Sequence, residues 1–96
     1  YKAPVTLRVG KATYVIGEIL ELEVCVVGEV DADTVGILVQ GESGSTIYVA
    51  FIKAEEGCTT LQFPLMMNLE EGTYRVVARA GGEVLAVAEF RVRLEP

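Results

Sequence analysis

The most reactive side chains of this sequence are two cysteines, Cys25 and Cys58. The chain has no histidine. The absence of histidine excludes His-based catalytic triads and His-ligated zinc sites, and two cysteines are too few for a four-ligand zinc site. The two thiols can form a disulfide or stay free. A disulfide would favour an oxidising compartment, intracellular proteins of hyperthermophiles being an exception.

The other side chains that serve in catalysis form no convincing site. Ser43 and Ser45 lie in a predicted turn without a nearby base, and the adjacent pairs Glu55–Glu56 and Glu70–Glu71 are typical turn residues. Gly81–Gly82 is a hairpin signal rather than a phosphate-binding loop. We therefore expect no enzymatic activity and no cofactor.

A short acidic segment has the alternating carboxylates of a calcium-binding loop, at Glu29, Asp31 and Asp33. However, Val35 occupies a ligand position and the predicted flanking elements are strands, which excludes an EF-hand. Two interpretations stay open. These carboxylates are either weak candidates for a calcium site shared with a neighbouring module or members of a solvated acidic loop.

Composition narrows the class of protein further. The 96 residues suffice for one domain with a real core, and no apolar run reaches the roughly 18 residues of a membrane helix. The net charge of −6 argues against a nucleic-acid partner. Asparagine and glutamine are scarce, which is one habit of heat-adapted proteins. The start Tyr1-Lys2-Ala3-Pro4 lacks an initiator Met, so we expect a mature chain or a piece of a longer protein.

Hydrophobic periodicity predicts an all-β domain. The clearest strand runs from Ile19 to Val27, where apolar residues alternate with Glu21 and Glu23. With turns between them, the predicted strands form a single two-sheet antiparallel sandwich over residues 4–94. The seven strands cover 5–9, 19–27, 34–40, 45–52, 58–65, 73–80 and 83–94, and the last is predicted to face inward at Ala86, Ala88, Phe90, Val92 and Leu94.

The segment before the sixth strand has the layout of a tyrosine corner. Tyr74 follows Gly72 and an acidic turn that includes Glu70. In such a corner the tyrosine packs inward and its hydroxyl bonds back to the preceding turn.

Two short motifs resemble a known family. Tyr14-x-x-Gly17-Glu18 before a long alternating strand, and Glu71-Gly72-Thr73-Tyr74-x-Val76, are similar to segments of macroglobulin-like and related immunoglobulin-like surface modules. Ile16 stands where the family usually has proline. The resemblance implies a seven-stranded, antiparallel, immunoglobulin-like Greek-key sandwich. Val76 replaces the second core cysteine of antibody domains and tryptophan is absent, so no antibody or receptor relative is implied.

In the arrangement that this resemblance implies, the strands of Cys25 and Cys58 are neighbours. Pairing position 25 with 58 also pairs 23 with 60, 22 with 61 and 20 with 63, which keeps the apolar residues on the core side. The resemblance thus implies a cross-strand disulfide, the alternative being two free, half-exposed thiols.

One predicted sheet face mixes arginines with exposed aliphatic residues, as contact surfaces do. The alternative is a solvated face on which Arg75 or Arg79 pairs with Glu89. Because the opposite sheet carries Glu21 and Glu23, stacking of modules through weak self-association is a further hypothesis. The candidate partner face consists of Arg75, Val77, Arg79, Leu85, Val87, Arg91 and Arg93.

The expected role is a non-catalytic spacer or adhesion module of a cell-surface or secreted protein, located outside the cell or in its envelope. Its partners would be other proteins or neighbouring modules, without nucleic acid and without membrane insertion. The alternatives are an accessory domain of an extracellular enzyme or macroglobulin-type protease-binding protein, and a small stand-alone binding protein.

Overall fold

A computed structural model describes residues 3–95, which form eight β-strands in two sheets. The smaller sheet has the strand order β1-β3-β6 and the larger one has the order β2-β8-β7-β4-β5. The prediction of an all-β, two-sheet domain is confirmed. The strands are β1 (Val5–Val9), β2 (Thr13–Val15), β3 (Ile19–Val26), β4 (Thr34–Gln40), β5 (Thr46–Lys53), β6 (Gly57–Pro64), β7 (Gly72–Ala80) and β8 (Glu83–Arg93).

Alternation of apolar and polar residues explains the orientation of β3. Leu20, Leu22 and Val24 are fully buried, whereas Glu21 and Glu23 are exposed. This strand pairs with β6 in the predicted register, with position 22 opposite 61 and position 25 opposite 58. A shift by one residue would bury both glutamates, so the register is strongly specified.

The core lies between the two sheets, and no polar or charged residue within residues 3–95 is buried. Its aromatic centre is Phe90. The centroid of the Phe90 ring lies 5.8 Å from that of Tyr14, in an edge-to-face contact, and 5.6 Å from that of Tyr74, on which it stacks. These contacts connect β2 to β7 and β8. The buried core cluster comprises Val5, Tyr14, Leu20, Leu22, Val24, Val26, Val35, Ile37, Val39, Phe63, Leu65, Tyr74, Val76, Ala78, Phe90 and Val92.

Two details of the predicted topology are wrong. The structure has eight strands rather than seven, and one pair is parallel, because β2 runs beside β8 with Tyr14 opposite Val92. The strands predicted from the sequence include none between residues 9 and 19. A three-residue strand carries too little alternation to be recognised, and its pairing is with the far end of the chain.

The end of the last strand also differs from expectation. Leu94 was predicted to face the core, but β8 ends at Arg93 and the side chain of Leu94 is 55% exposed. Residues 3–95 contain no helix long and apolar enough to cross a membrane.

Candidate functional site

Four aliphatic side chains form a row across the outer face of the larger sheet. Val49 of β5 lies opposite Leu38 of β4, Leu38 opposite Val77 of β7, and Val77 opposite Val87 of β8. Paired residues of antiparallel strands share a face, and none of the four belongs to the core cluster. We call this set the aliphatic row. Its ends are exposed, by 53% at Val49 and 52% at Val87, whereas Val77 on a central strand is only 7% exposed.

Arginines flank the aliphatic row on both sides. Arg75 lies one step along β7, opposite Gln40 and Glu89, and Arg79 lies one step in the other direction. Both arginines are exposed, as are Arg91 and Arg93 further along β8. The predicted pairing of Arg75 or Arg79 with Glu89 is not observed, since the one salt bridge within residues 3–95 joins Lys11 to Glu18.

Leu85 does not lie on this face, which corrects the prediction. The register of β7 and β8 shifts between Ala78 and Arg79, so that Ala78 pairs with Ala86 and Arg79 with Val84. Leu85 is the extra residue at this bulge, and it packs partly buried against the core. Val84 takes its place on the surface, with 56% of its side chain exposed.

The surface predicted from the sequence did not include β5, which also contributes to it. Phe51 is 71% exposed, and its ring covers Gly36 of β4 so closely that a Cβ at position 36 would lie 3.3 Å from ring carbon Cε1. The segment from Ile47 to Ile52 is apolar on both of its faces, so alternation could not show which residues point outward.

A disulfide joins Cys25 to Cys58 across β3 and β6, with a Cα–Cα distance of 4.0 Å, and no free cysteine is present in the described residues. Within residues 3–95, a group of three potential metal ligands whose ligand atoms lie within 4.8 Å of one another occurs only at Glu23, Cys25 and Cys58. Because both sulfur atoms are used by the disulfide, this cluster does not offer a metal site in the oxidised chain.

The three calcium candidates lie in the loop between β3 and β4. Glu29, Asp31 and Asp33 are all exposed. They do not form part of the one close ligand cluster in the described residues. The structure therefore does not bring them together around a common point.

The motif around Tyr14 has a structural role. The Tyr14 hydroxyl accepts hydrogen bonds from the backbone N–H groups of Lys11, at 3.1 Å, and Glu21, at 3.4 Å. Gly17 has a φ of 96°, which glycine adopts at little cost. The Glu18 carboxylate accepts from the Val15 N–H at 2.6 Å, so the motif closes the turn between β2 and β3.

The second motif fixes the start of β7. The Tyr74 hydroxyl donates to the backbone carbonyl of Glu70, as a tyrosine corner predicts. Gly72 has a φ of 148°, and a Cβ there would lie 2.9 Å from Oε1 of Glu42. Glu42, in the turn between β4 and β5, accepts a hydrogen bond from the Thr73 N–H at 2.8 Å. Only the folded arrangement shows this contact, because 31 residues separate the two positions.

Comparison with known proteins supports the fold and leaves the family open. No family model matches the chain, and no curated protein matches it. Among solved structures, the chain is similar to the Pseudomonas fluorescens alkylpurine DNA glycosylase AlkC bound to DNA containing an abasic site analog, with a TM-score of 0.57 and 19% identity. The match covers 95% of the present chain and 31% of the glycosylase chain. The present chain therefore spans less than a third of the enzyme's length. At this identity the likeness is one of fold.

Proposed function

We propose that this chain is a non-catalytic, immunoglobulin-like interaction module of a cell-surface or secreted protein. It binds a protein partner through the outer face of the larger sheet. The observation that carries this proposal is the aliphatic row with its flanking arginines. The two short motifs at Tyr14 and Tyr74 support the immunoglobulin-like architecture.

The composition of the face favours a protein partner. Protein interfaces are enriched in arginine and place apolar residues at the centre and polar ones at the rim. Here Val77 lies centrally, and the rim carries four arginines and Glu89 in a chain whose net charge is −6. The local charge is thus opposite to that of the whole chain. Charge complementarity points to a partner surface with an apolar centre and an acidic rim.

The disulfide supports a location outside the cell or in the cell envelope. The cross-strand bond between Cys25 and Cys58 persists where the environment is oxidising. Secreted and envelope proteins meet this condition, whereas most cytosolic proteins do not.

Site-specific cross-linking in the native source tests the proposed face. A photoreactive residue at Val87 is compared with one at Thr60, which is also exposed but lies on the smaller sheet. We expect one protein to cross-link from position 87 and not from 60. Equal cross-linking from both positions, or none from 87, would contradict the proposal.

The cross-linked partner is then purified and its affinity measured. We expect Val87→Asp and Arg79→Glu to weaken binding by roughly tenfold or more each, as hot-spot residues do, and Thr60→Asp to have little effect. An acidic-to-basic change on the partner should restore binding to Arg79→Glu, because the two charges are then again opposite.

A second candidate function is that of an accessory domain of an enzyme. It is supported by the match to AlkC, in which a region like this chain forms 31% of a longer enzyme. An immunoblot of fractionated native source distinguishes the candidates. A large envelope band whose flanking sequence lacks a catalytic domain favours the first, and a catalytic neighbour favours the second. A band near 10.4 kDa would indicate a small stand-alone binding protein.

A further inference from the structure

We propose that the open edge of β5 pairs with β5 of a second copy of this chain, which joins the two five-stranded sheets into one continuous antiparallel sheet. This inference concerns the edge of the sheet rather than its outer face, so it does not depend on the partner proposed above.

The backbone of β5 has unused hydrogen-bonding groups. The Ala54 N–H donates to the Asp33 carbonyl at 3.0 Å, which identifies these two residues as a hydrogen-bonded pair. Hydrogen-bonded and non-hydrogen-bonded pairs alternate along an antiparallel ladder, so the backbone N–H and C=O groups of Ala50 and Ile52 also point to β4. Those of the intervening residues, Val49, Phe51 and Lys53, point away from it. β5 ends the sheet, and no other strand among the described residues pairs with it there.

Between Tyr48 and Ile52 the edge of β5 lacks the features that usually prevent pairing, because the bulge at Ile47 and the charge of Lys53 lie on either side of this segment. From Thr46 to Ile52 it has neither a charged residue nor a proline. The adjacent edge strand β6 differs, because it ends in Pro64, whose carbonyl accepts a hydrogen bond from the Tyr48 hydroxyl. The opposite edge of the larger sheet is β2, a strand of only three residues. One long, unprotected edge per sheet favours a closed pair over an open chain of copies.

A second copy suits this edge because the edge complements itself. A twofold axis at Ala50 places Val49 opposite Phe51 of the other copy, and does so twice. Both residues have free backbone groups, so each such pair can exchange two hydrogen bonds, and aromatic–β-branched pairs stabilise sheets. The two copies of Ala50, which are small, face each other.

Charges also permit this arrangement. Lys53 is the only charged residue of β5. The twofold axis places the Lys53 side chains at opposite ends of the paired segment, each near the turn of the other copy that carries Glu42. Like charges therefore do not meet, and on the outer face the aliphatic row is followed by Phe51 of the second copy.

Sedimentation velocity and amide exchange test the proposal on the unmodified chain. We expect a reversible monomer–dimer equilibrium between micromolar and near-millimolar concentration, because pairing along one strand is a small interface. In the monomer, the amides of Ala50 and Ile52 should exchange slowly and those of Val49 and Phe51 quickly. As the concentration rises, the latter two should become protected.

Proline substitution distinguishes the edge from other surfaces. The Val49 N–H points away from β4, so Val49→Pro removes a donor from the open edge without removing a bond to β4. Val49→Thr keeps the N–H and is the matched control. We expect Val49→Pro and Phe51→Pro to stay monomeric and folded by circular dichroism, and Val49→Thr to dimerise like the parent chain.

Three results would overturn the proposal. The first is a chain that stays monomeric at the highest concentration with its Val49 amide unprotected. The second is protection of Val49 and Phe51 at every concentration, which would mean that another part of the same chain covers the edge. The third is a dimer that survives both proline substitutions, which would place the interface elsewhere. None of these results alters cross-linking from Val87, so the two proposals fail independently.

Discussion

The hydroxyl group of Tyr74 donates a hydrogen bond to the backbone carbonyl oxygen of Glu70, four residues earlier in the chain. The ring of Tyr74 is 5% exposed and stacks on Phe90, so the hydroxyl extends from the core to the turn before β7. The bond therefore connects that turn to the aromatic centre of the sandwich.

Replacement of Tyr74 by phenylalanine keeps the ring and removes this bond. We expect the free energy of unfolding to fall by about 1 kcal/mol, the usual net value of a hydrogen bond, since the Glu70 carbonyl loses a partner. Urea unfolding measures the change. Tyr48→Phe is the matched control because it removes a similar bond, to the carbonyl of Pro64, at a more exposed site. An equal loss in both variants would show that burial of Tyr74 adds nothing to the bond.

The same tyrosine should make stability fall at alkaline pH. Burial raises the pKa of Tyr74 above its ordinary value of 10.0, and the nearby Glu70 and Glu42 charges act in the same direction. The unfolded chain therefore loses this proton first. The contribution to stability is complete below the unfolded pKa and is lost as pH rises through the folded pKa. Unfolding measured across this range should show a smaller alkaline loss in Tyr74→Phe than in the parent chain, and parallel curves would contradict this expectation.

At acidic pH the corresponding group is Glu18. Two hydrogen bonds lower the pKa of Glu18 below its ordinary value of 4.5. The one from the Lys11 side chain has the larger effect and the one from the Val15 N–H the smaller. A lowered folded pKa gives stability that is present above the unfolded pKa and is lost as pH falls through the folded one.

We therefore expect Glu18→Gln to reduce stability at neutral pH and to flatten the acid limb of the stability–pH curve. The effect should shrink with added salt, because Lys11 and Glu18 are both partly exposed. Glu21→Gln, on the outer face of β3, is the control, because Glu21 does not take part in the one salt bridge of residues 3–95, and it should keep the parent's stability at neutral pH. If the two variants behave alike, Glu18 has no special role.

The sequence predicted those elements whose two faces differ in polarity. β3 is an example, because Glu21 and Glu23 could only be outside. The pairing of Cys25 with Cys58 was implied by the family resemblance instead, and the observed register agrees with it. Pairings that depend on distant partners were not predictable. β2 exists because Tyr14 lies beside Val92 of β8, and neither neighbourhood alone indicates a parallel pair.

The candidate site was predicted in part for the same reason. Val77 and Val87 were correctly predicted on the outer face. Leu85 was not, because the bulge on the N-terminal side of Ala86 reverses the inward–outward alternation of β8. Val49 and Phe51 were missed because the residues from Ile47 to Ile52 are aliphatic or aromatic on both faces, so alternation within this segment shows no contrast between inside and outside. The arrangement of the whole sheet was needed to show that they belong to the same surface.

The disulfide should account for a large part of the stability of the domain. It closes a segment of 33 residues, and constraint of the unfolded chain by a loop of that length is worth about 3 to 4 kcal/mol. We expect urea unfolding of the parent chain to shift by that amount on reduction. A Cys25→Ser, Cys58→Ser double variant should have the stability of the reduced chain and be insensitive to reductant. Alkylation of both cysteines under denaturing, non-reducing conditions would falsify the disulfide itself.

The last prediction concerns DNA, which the structurally similar glycosylase binds. We expect this chain not to bind it, because 14 acidic side chains outnumber 8 basic ones and the arginine-bearing face also carries Glu89 and the aliphatic row. Fluorescence anisotropy with a labelled duplex that contains an abasic-site analogue, at low salt, is the most permissive measurement. A Glu89→Lys variant is the matched control, since it adds positive charge to the same face. If the parent chain bound saturably, with an affinity that fell steeply with salt and was lost in Arg79→Ala, the arginines would contact phosphates and the face would serve nucleic acid rather than protein.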